Sequence, residues 1–326
     1  SKANDSDVIK PIIEEAVGAF PEATSIATNQ LGAGELSYQT LTRDGYPSVS
    51  FHDMGAGLTA SKSKTRLERF ECFPIGGRVQ APRHMADNWK RGGAAGYFAF
   101  EALGIMKAAI FTMAKQIWYG RVSDAKGFPG LKNFTAYSTT ATDPLTGKTF
   151  NLSINATGTT ANTASSCYLV VSNADNVEIQ FGTGNVFDLP EPRIADYVDP
   201  NDSTKTIEGY VSVLQGFAGL QTPNVHCVRR IYNLTDDSGK GMTDALLAKA
   251  LKEFPQGVRP TGIYMSTFQR YKLQLSRTVV LNGQGSQRPD QPAVAPIPTD
   301  YDDIPIYATD AIADTDAIES AALTEE

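Results

Sequence analysis

The stretch AIFTMAKQIWYGRVSDAKGFPGLKNF, residues 109–134, decides the fold. An apolar run at helical spacing passes into Trp118-Tyr119-Gly120, then into a loop punctuated by Gly127 and Gly130 that carries two aromatics of buried type, Phe128 and Phe134. Working backward, Leu103, Met106, Ile110, Met113 and Ile117 recur at intervals of three and four, and Phe98, Ile105 and Trp118 widen that face. The spacing predicts a helix over 87–119, roughly 25 to 30 residues and on the order of 40 Å long. Gly92, Gly93 and Gly96 weaken its first turns, so its ordered start is expected near Ala94. Gly120 is the expected stop. The stretch offers no nucleophile or base, so its purpose is architectural.

Upstream, residues 8–20 suit a short helix. The chain then reads as extended to Phe51, broken at Gly45 and Pro47, with Val49 and Phe51 alternating with Ser48 and Ser50 as on a half-buried strand. Residues 53–64 are rich in Gly, Ala, Ser and Lys and read as an exposed tip; residues 65–73 read as the return strand. A long hairpin with little core of its own is marginal in water, so it must lean on something else.

Downstream, residues 135–165 are a polar Thr/Asn/Ser/Gly segment expected as surface loops or edge strands. CYLVV and VEIQF flank SNADN and read as a buried hairpin. A Pro/Asp-rich loop is expected over 188–206 and a strand over 227–235. TDALLAKALKEF reads as an amphipathic helix with Thr243 as N-cap and Leu247, Leu251 and Phe254 inward. GIYMSTFQRYKLQLSRT passes from strand to helix at Ser266, where Ser266 and Gln269 have capping-box spacing. A polar loop over 282–303, a last strand in IPIYATDAI and a loose acidic tail over 314–326 complete the chain. Strands and helices mix without a βαβ rhythm, which gives an α+β fold class.

The 326 residues are 41% hydrophobic and 20% charged, enough for a sizeable core, and the net charge of −7 leaves no basic surplus for counterion-release binding to nucleic acid. Cys72, Cys167 and Cys227 are far apart, without CxxC pairing, and read as reduced core thiols. The N-terminus is acidic without an apolar h-region, so no signal peptide is expected. No run of 18 apolar residues is free of polar interruption, so no membrane span is expected either. Gly147-Lys148-Thr149 has the ending of a phosphate-binding loop, but Thr142 stands where its first glycine belongs and the flanks are polar. His52, His84 and His226 lack metal or nucleophile-base spacing, and Asp290, Asp300, Asp302 and Asp303 lack the ligand order of a calcium loop. No catalytic, cofactor-binding or metal residues are assigned, and an enzyme is not expected.

The order of elements carries the information: extended N-terminal segment, projecting hairpin, long helix, Tyr-Gly junction, then an α+β remainder ending in a strand. With FPEATSIATNQLGAGELSYQTLTRDGYPSVSF, QIWYGRVSDAKGFPGL, CVRRIYNLT, GIYMSTFQRYKLQLSR and IPIYATDAI, it resembles the major capsid proteins of tailed bacteriophages, the Hong Kong 97 fold, in a short-chain podophage-like branch, over about residues 20–312. The resemblance implies an N-arm over 1–42 and an extended loop (E-loop) over 43–85 that lies on a neighbouring subunit. It implies a peripheral domain with a spine helix over 86–134, and over 135–326 an axial domain with returning peripheral-domain strands and the acidic tail. It also implies self-assembly through hexamers and pentamers into an icosahedral shell around double-stranded DNA, assembled in the bacterial host cytoplasm. The implied partners are scaffolding protein, portal, a decoration protein and non-specifically apposed DNA; no membrane and no cofactor are implied. Some shells of this fold crosslink a loop lysine to a neighbour's asparagine; Lys62 and Lys64 sit at the expected tip, but no Asn or Glu partner is identifiable. The competing readings are a tail-tube or decoration protein and a hydrolase on an α+β scaffold.

Overall fold

The computed structural model describes residues 20–32, 35–137, 139–182, 187–200, 202–277 and 295–320. The helix expected over 8–20 (Phe20 apart), most of the 282–303 loop with Asp290, and residues 321–326 of the tail lie outside them.

Two sheets organise the body. The six-stranded one runs in the order 300–301, 304–308, 262–265, 165–170, 228–234, 153–155. Its centre is closed on both faces: every residue of Ser165–Val170, Val228–Leu234 and Gly262–Met265 is buried. The five-stranded sheet is built on a single 20-residue strand, Asp202–Gln221. Residues 209–211 pair both with Phe73–Pro82 and with Arg193–Asp199, so those two strands flank it on opposite edges. Glu178–Phe181 joins its C-terminal end and pairs in turn, in parallel, with Ala27–Gln30.

Two expectations are corrected here. The loop expected over 188–206 holds the strand Arg193–Asp199 and the start of the long strand. CYLVV and VEIQF are both buried strands but not a hairpin, because the first enters the six-stranded sheet and the second the five-stranded one. The turn between them is where the chain changes sheets: Val171 N–H donates to Cys227 O at 2.8 Å and Val177 N–H to Val171 O at 3.1 Å.

The long helix is Gly93–Tyr119, 27 residues or about 40 Å. Its C-terminal third enters the main core, where Met113, Ala114, Ile117 and Trp118 are buried. Trp118 packs against Tyr168 and Tyr264 at ring-centroid distances of 4.9 and 5.1 Å, and so joins the helix to the six-stranded sheet. The expected inward face is only partly right: Leu103 is 61% exposed, whereas Ala109 and Ala114 are buried. The helix is also, by length and composition alone, apolar enough to cross a membrane, contrary to the expectation drawn from its polar interruptions. A second, small cluster of Ala81, Ala86 and Phe98 anchors its N-terminal end to the five-stranded sheet.

Gly120 ends the helix in an extended conformation (φ −53°, ψ 137°), so its requirement is steric rather than left-handed backbone. A Cβ there would stand 2.1 Å from Phe128 O, and one on Gly130 2.6 Å from Gln116 O. The loop can therefore fold back onto the helix end, where Gln116 Nε2–H donates to Phe128 O at 2.7 Å and Gly130 N–H to Gly120 O at 2.9 Å.

Ser37–Gly45 and Lys64–Glu71 form a separate antiparallel ladder with the exposed residues of the tip between them. Thr243 caps Asp244–Leu251 by accepting from Leu246 N–H, and Leu247 is fully buried. Ser266 caps Thr267–Ser276, but Gln269 does not close the capping box; its Oε1 instead accepts from Met242 N–H at 3.1 Å. The tail is not loose as far as Ser320: Ala164 and Asp316 exchange both backbone hydrogen bonds, at 3.2 and 2.8 Å.

Candidate functional site

Among the described residues, those with chemical potential do not converge. Cys72, Cys167 and Cys227 are buried and free, and burial pushes the Cys72 thiol up to about 11 and Cys227 to about 12, which makes them poor nucleophiles. His52 is exposed on the hairpin and His84 on the short helix Arg83–Asp87. His226 is buried against Phe150, with Nδ1 3.2 Å from the Arg229 guanidinium; burial first, then the Arg229 charge, hold its imidazole below the ordinary range. Gly147-Lys148-Thr149 lies in the turn of a small hairpin, Thr140–Thr142 with Thr149–Asn151, not at a helix N-terminus. Asp302 and Asp303 make the turn between the last two strands. No three His, Cys, Asp or Glu side chains among the described residues converge as a metal site.

What the structure does gather is a polar lock around the Trp118-Tyr119 junction. Trp118 Nε1–H and Thr309 Oγ1–H both donate to Glu22 Oε1, at 2.7 and 2.5 Å, with Glu22 fully buried. Tyr264 OH donates to Ser25 Oγ at 2.8 Å, and Tyr119 OH accepts from Ala313 N–H at 2.8 Å. The helix end thus fixes the N-terminal and C-terminal segments at once. Beside it, Arg230 donates to Glu319 through Nη1 and Nη2, at 2.8 and 2.7 Å, and Lys132 Nζ reaches Glu319 and Asp316 at 3.0 and 3.3 Å. Burial alone would raise the Glu319 carboxyl, but Arg230 and Lys132 hold it below the usual carboxylate range. Arg229, equally buried, donates Nε and Nη2 to Glu253 O at 3.0 and 2.8 Å, and burial lowers its guanidinium to about 10. Sequence reasoning missed this lock. Its one visible signal is the Arg229-Arg230 pair inside an otherwise apolar strand, since buried charges need partners.

The surface with unmet apolar area is the hairpin. Leu41 and Leu67 face each other across the ladder, 65% and 63% exposed, and beyond them Val49, Phe51 and Met54 are almost wholly exposed. Ser61 clips the two arms of the tip together, accepting from Ser48 N–H at 2.9 Å and donating to Ser48 O at 3.2 Å. Single exposed apolar residues mean little; a run of them along one arm marks a contact surface. On the body, an open groove of about 470 Å³ lies between helix and five-stranded sheet, lined by Val79, Phe98, Ala99, Ala102, Pro190 and Tyr210. Apolar projections and an apolar groove at different places on one chain suit head-to-tail contacts between copies, which close into rings when the rotation allows.

The family model described as Major capsid protein GP7 matches residues 11–319. No curated protein matches. Among solved structures, a chain from the cryo-EM structure of bacteriophage Epsilon15 superposes with a TM-score of 0.65 at 16% identity, over 98% of this chain and 94% of that one. A chain of the bacteriophage JBD30 capsid gives a TM-score of 0.49 at 11% identity, over 79% of this chain and 82% of that one, and adds nothing to the fold.

Proposed function

The chain belongs to the Major capsid protein GP7 family, and from that premise we propose how it builds its shell. It is a phage major capsid protein of the α+β, Hong Kong 97-type fold, a structural component of the virion that assembles with copies of itself. In the proposal the copies associate as hexamers and pentamers of an icosahedral shell, formed in the bacterial host cytoplasm with a scaffolding protein and a portal, with or without a decoration protein. Residues 1–42 act as N-arm, 43–85 as extended loop, 86–134 as peripheral domain with its spine helix, and 135–326 as axial domain with returning peripheral strands and tail. The ladder of residues 37–45 with 64–71 then pairs the end of the N-arm, 37–42, and the start of the extended loop with the loop's returning strand.

The observation that carries this is the projecting hairpin, whose Leu41–Leu67 pair is mostly exposed and whose Phe51 and Met54 are fully exposed. The 27-residue helix speaks against a tail-tube protein, which would be mostly β. An acidic chain can still enclose DNA, because the genome's charge is screened by its own counterions and only local lysines, such as those of the long helix, need face it. No catalytic step is proposed for the shell. Lys62 and Lys64 are exposed on the arm without an identified Asn or Glu partner, so boiled particles should run as one band near 35.1 kDa; a ladder of multimers would show covalent links. The test of the function itself is negative-stain microscopy of the protein purified with its scaffold. Closed shells or capsomers are expected; a monodisperse monomer under every assembly condition, scaffold included, would overturn the reading.

A further inference from the structure

The small hairpin Thr140–Thr142 with Thr149–Asn151 leads directly into Ser153–Asn155, the edge strand of the six-stranded sheet, and ends in an exposed tip at Leu145. It is tied to the body through Phe150 and Asn151. Asn151 N–H donates to Glu253 Oε2 at 2.8 Å. The buried Phe150 ring stands nearly perpendicular to the buried His226 ring, with centroids 5.7 Å apart.

His226 has one ring nitrogen engaged and the other not. Nδ1 lies 3.2 Å from Arg229 Nη2, while Nε2 is buried with no hydrogen-bond partner among the described residues. A guanidinium nitrogen only donates, so Nδ1 accepts and the neutral ring carries its proton on Nε2. Arg229 is not free to turn away: Nε and Nη2 donate to Glu253 O at 3.0 and 2.8 Å, Nη1 donates to Val228 O at 2.8 Å, and the Phe254 ring lies 4.6 Å from the guanidinium carbon. A second proton on the imidazole must therefore sit on Nδ1, facing a donor and a positive charge. The other charges nearby do not offset this. Asp143 at the hairpin's turn favours the charged ring, but its carboxylate is partly exposed and already accepts from Leu145 N–H and Thr146 Oγ1–H. Glu253 is engaged by Asn151 N–H and has Lys252 at 3.7 Å; Lys148, 5.1 Å from the Phe150 ring, adds positive charge; Glu68 of the arm acts on the adjacent Cys227.

We propose that His226 is an acid-operated latch on the hairpin 140–151: a proton on Nδ1 turns the hydrogen bond from Arg229 into a donor facing a donor, drives the ring from its place and frees the Phe150 side of the hairpin. The direction of titration agrees with the geometry. Burial first, and then the Arg229 charge, hold the imidazole below its ordinary range. A histidine lowered on folding contributes stability that is complete above the unfolded value of about 6.5 and is lost as pH falls below it toward the folded value. That window lies above the one in which carboxylates such as Glu319 titrate, so the two responses are separable. The latch works within a single copy and does not depend on shell formation.

The test is amide hydrogen exchange of the full chain between pH 7.5 and 5, read on residues 140–152 in wild type and in His226→Gln, whose amide oxygen still accepts from Arg229 and never gains a charge. Comparing the two proteins at the same pH cancels the pH dependence of intrinsic exchange. Protection of the hairpin in wild type should fall relative to the variant by about tenfold for each pH unit below about 6.5, until the folded value is reached. Residues 165–170 at the centre of the six-stranded sheet should keep theirs. A constant ratio between the two proteins overturns the proposal, and so does an equal loss over 165–170, which makes the response global unfolding. Wild type alone gives a second reading that does not depend on how the variant folds: referenced to 165–170 in the same sample, hairpin protection should begin to fall between pH 6.5 and 5.5. A fall that begins only below pH 5 assigns the response to carboxylates and contradicts the latch.

Discussion

The Ser165–Val170/Val228–Leu234 pair and the Ser37–Gly45/Lys64–Glu71 pair are both antiparallel ladders, yet they carry opposite loads. In the first every residue is buried, and even Arg230 finds a partner within the subunit. In the second, most of one face, with Leu41 opposite Leu67, stays in solvent. Backbone pairing alone adds little net stability, because water competes for the same hydrogen bonds; what stabilises the first ladder is the apolar area closed over both faces. One region holds the subunit together, and the other is left for a neighbour to cover.

The comparison breaks most visibly at Trp118. Trp118→Ala removes a fully buried ring between two tyrosines and one of the two donors to the buried Glu22 carboxyl, and should cost about 3–5 kcal/mol in denaturant unfolding of the purified subunit. A loss below 1 kcal/mol would mean that the junction is not the centre of the core.

Glu319→Gln leaves Arg230 charged and buried without its counter-charge, and a cost of about 3 kcal/mol is expected. The pH dependence has a definite sign. Since the folded Glu319 carboxyl lies below its ordinary value, its contribution is present above the unfolded value of about 4.3 and is lost as pH falls through the folded one. Melting temperatures measured from pH 6 down to pH 3 should fall more steeply in wild type than in Glu319→Gln. Parallel curves would assign the acid sensitivity to other groups.

A smaller effect sharpens the junction itself. Gly120→Ala puts a Cβ 2.1 Å from the Phe128 carbonyl, and the backbone must shift at a cost of about 1–3 kcal/mol, read as a lowered melting temperature. No change would show that the loop is free to move away.

These sites explain what the sequence could and could not disclose. The long helix was legible because intervals of three and four persist over its whole length, but not which side faces inward: Leu103 lies out and Ala109 in, because both sides are apolar and only tertiary contacts choose between them. The 20-residue strand went unrecognised because Gly209, Gly216 and Gly219 look like breakers. At two of them backbone comes close, a Cβ on Gly209 standing 2.3 Å from Ala81 O and one on Gly219 2.7 Å from Glu71 O. SNADN is a real turn, but no local signal says that its two strands part into different sheets. The tail seemed loose because its anchor, Arg230, is 89 residues away. The hairpin arm was legible for the opposite reason: a polar, glycine-rich tip needs no distant partner to be recognised, and it stayed exposed.

The smallest effect on the subunit is expected where the consequence for assembly is largest. Met54 is fully exposed and Leu58 is 68% exposed, so deleting residues 53–64 and closing the arm with a short turn removes almost no buried area. The decisive measurement pairs two readouts on that deletion: melting of the isolated subunit, and particle yield by negative-stain microscopy after assembly with scaffold. The account predicts a melting temperature near that of wild type, within about 0.5 kcal/mol of stability, together with a severe loss of particles. Normal-sized shells at wild-type yield would contradict it, as would a collapsed melting temperature, which would place the arm in the subunit's own core.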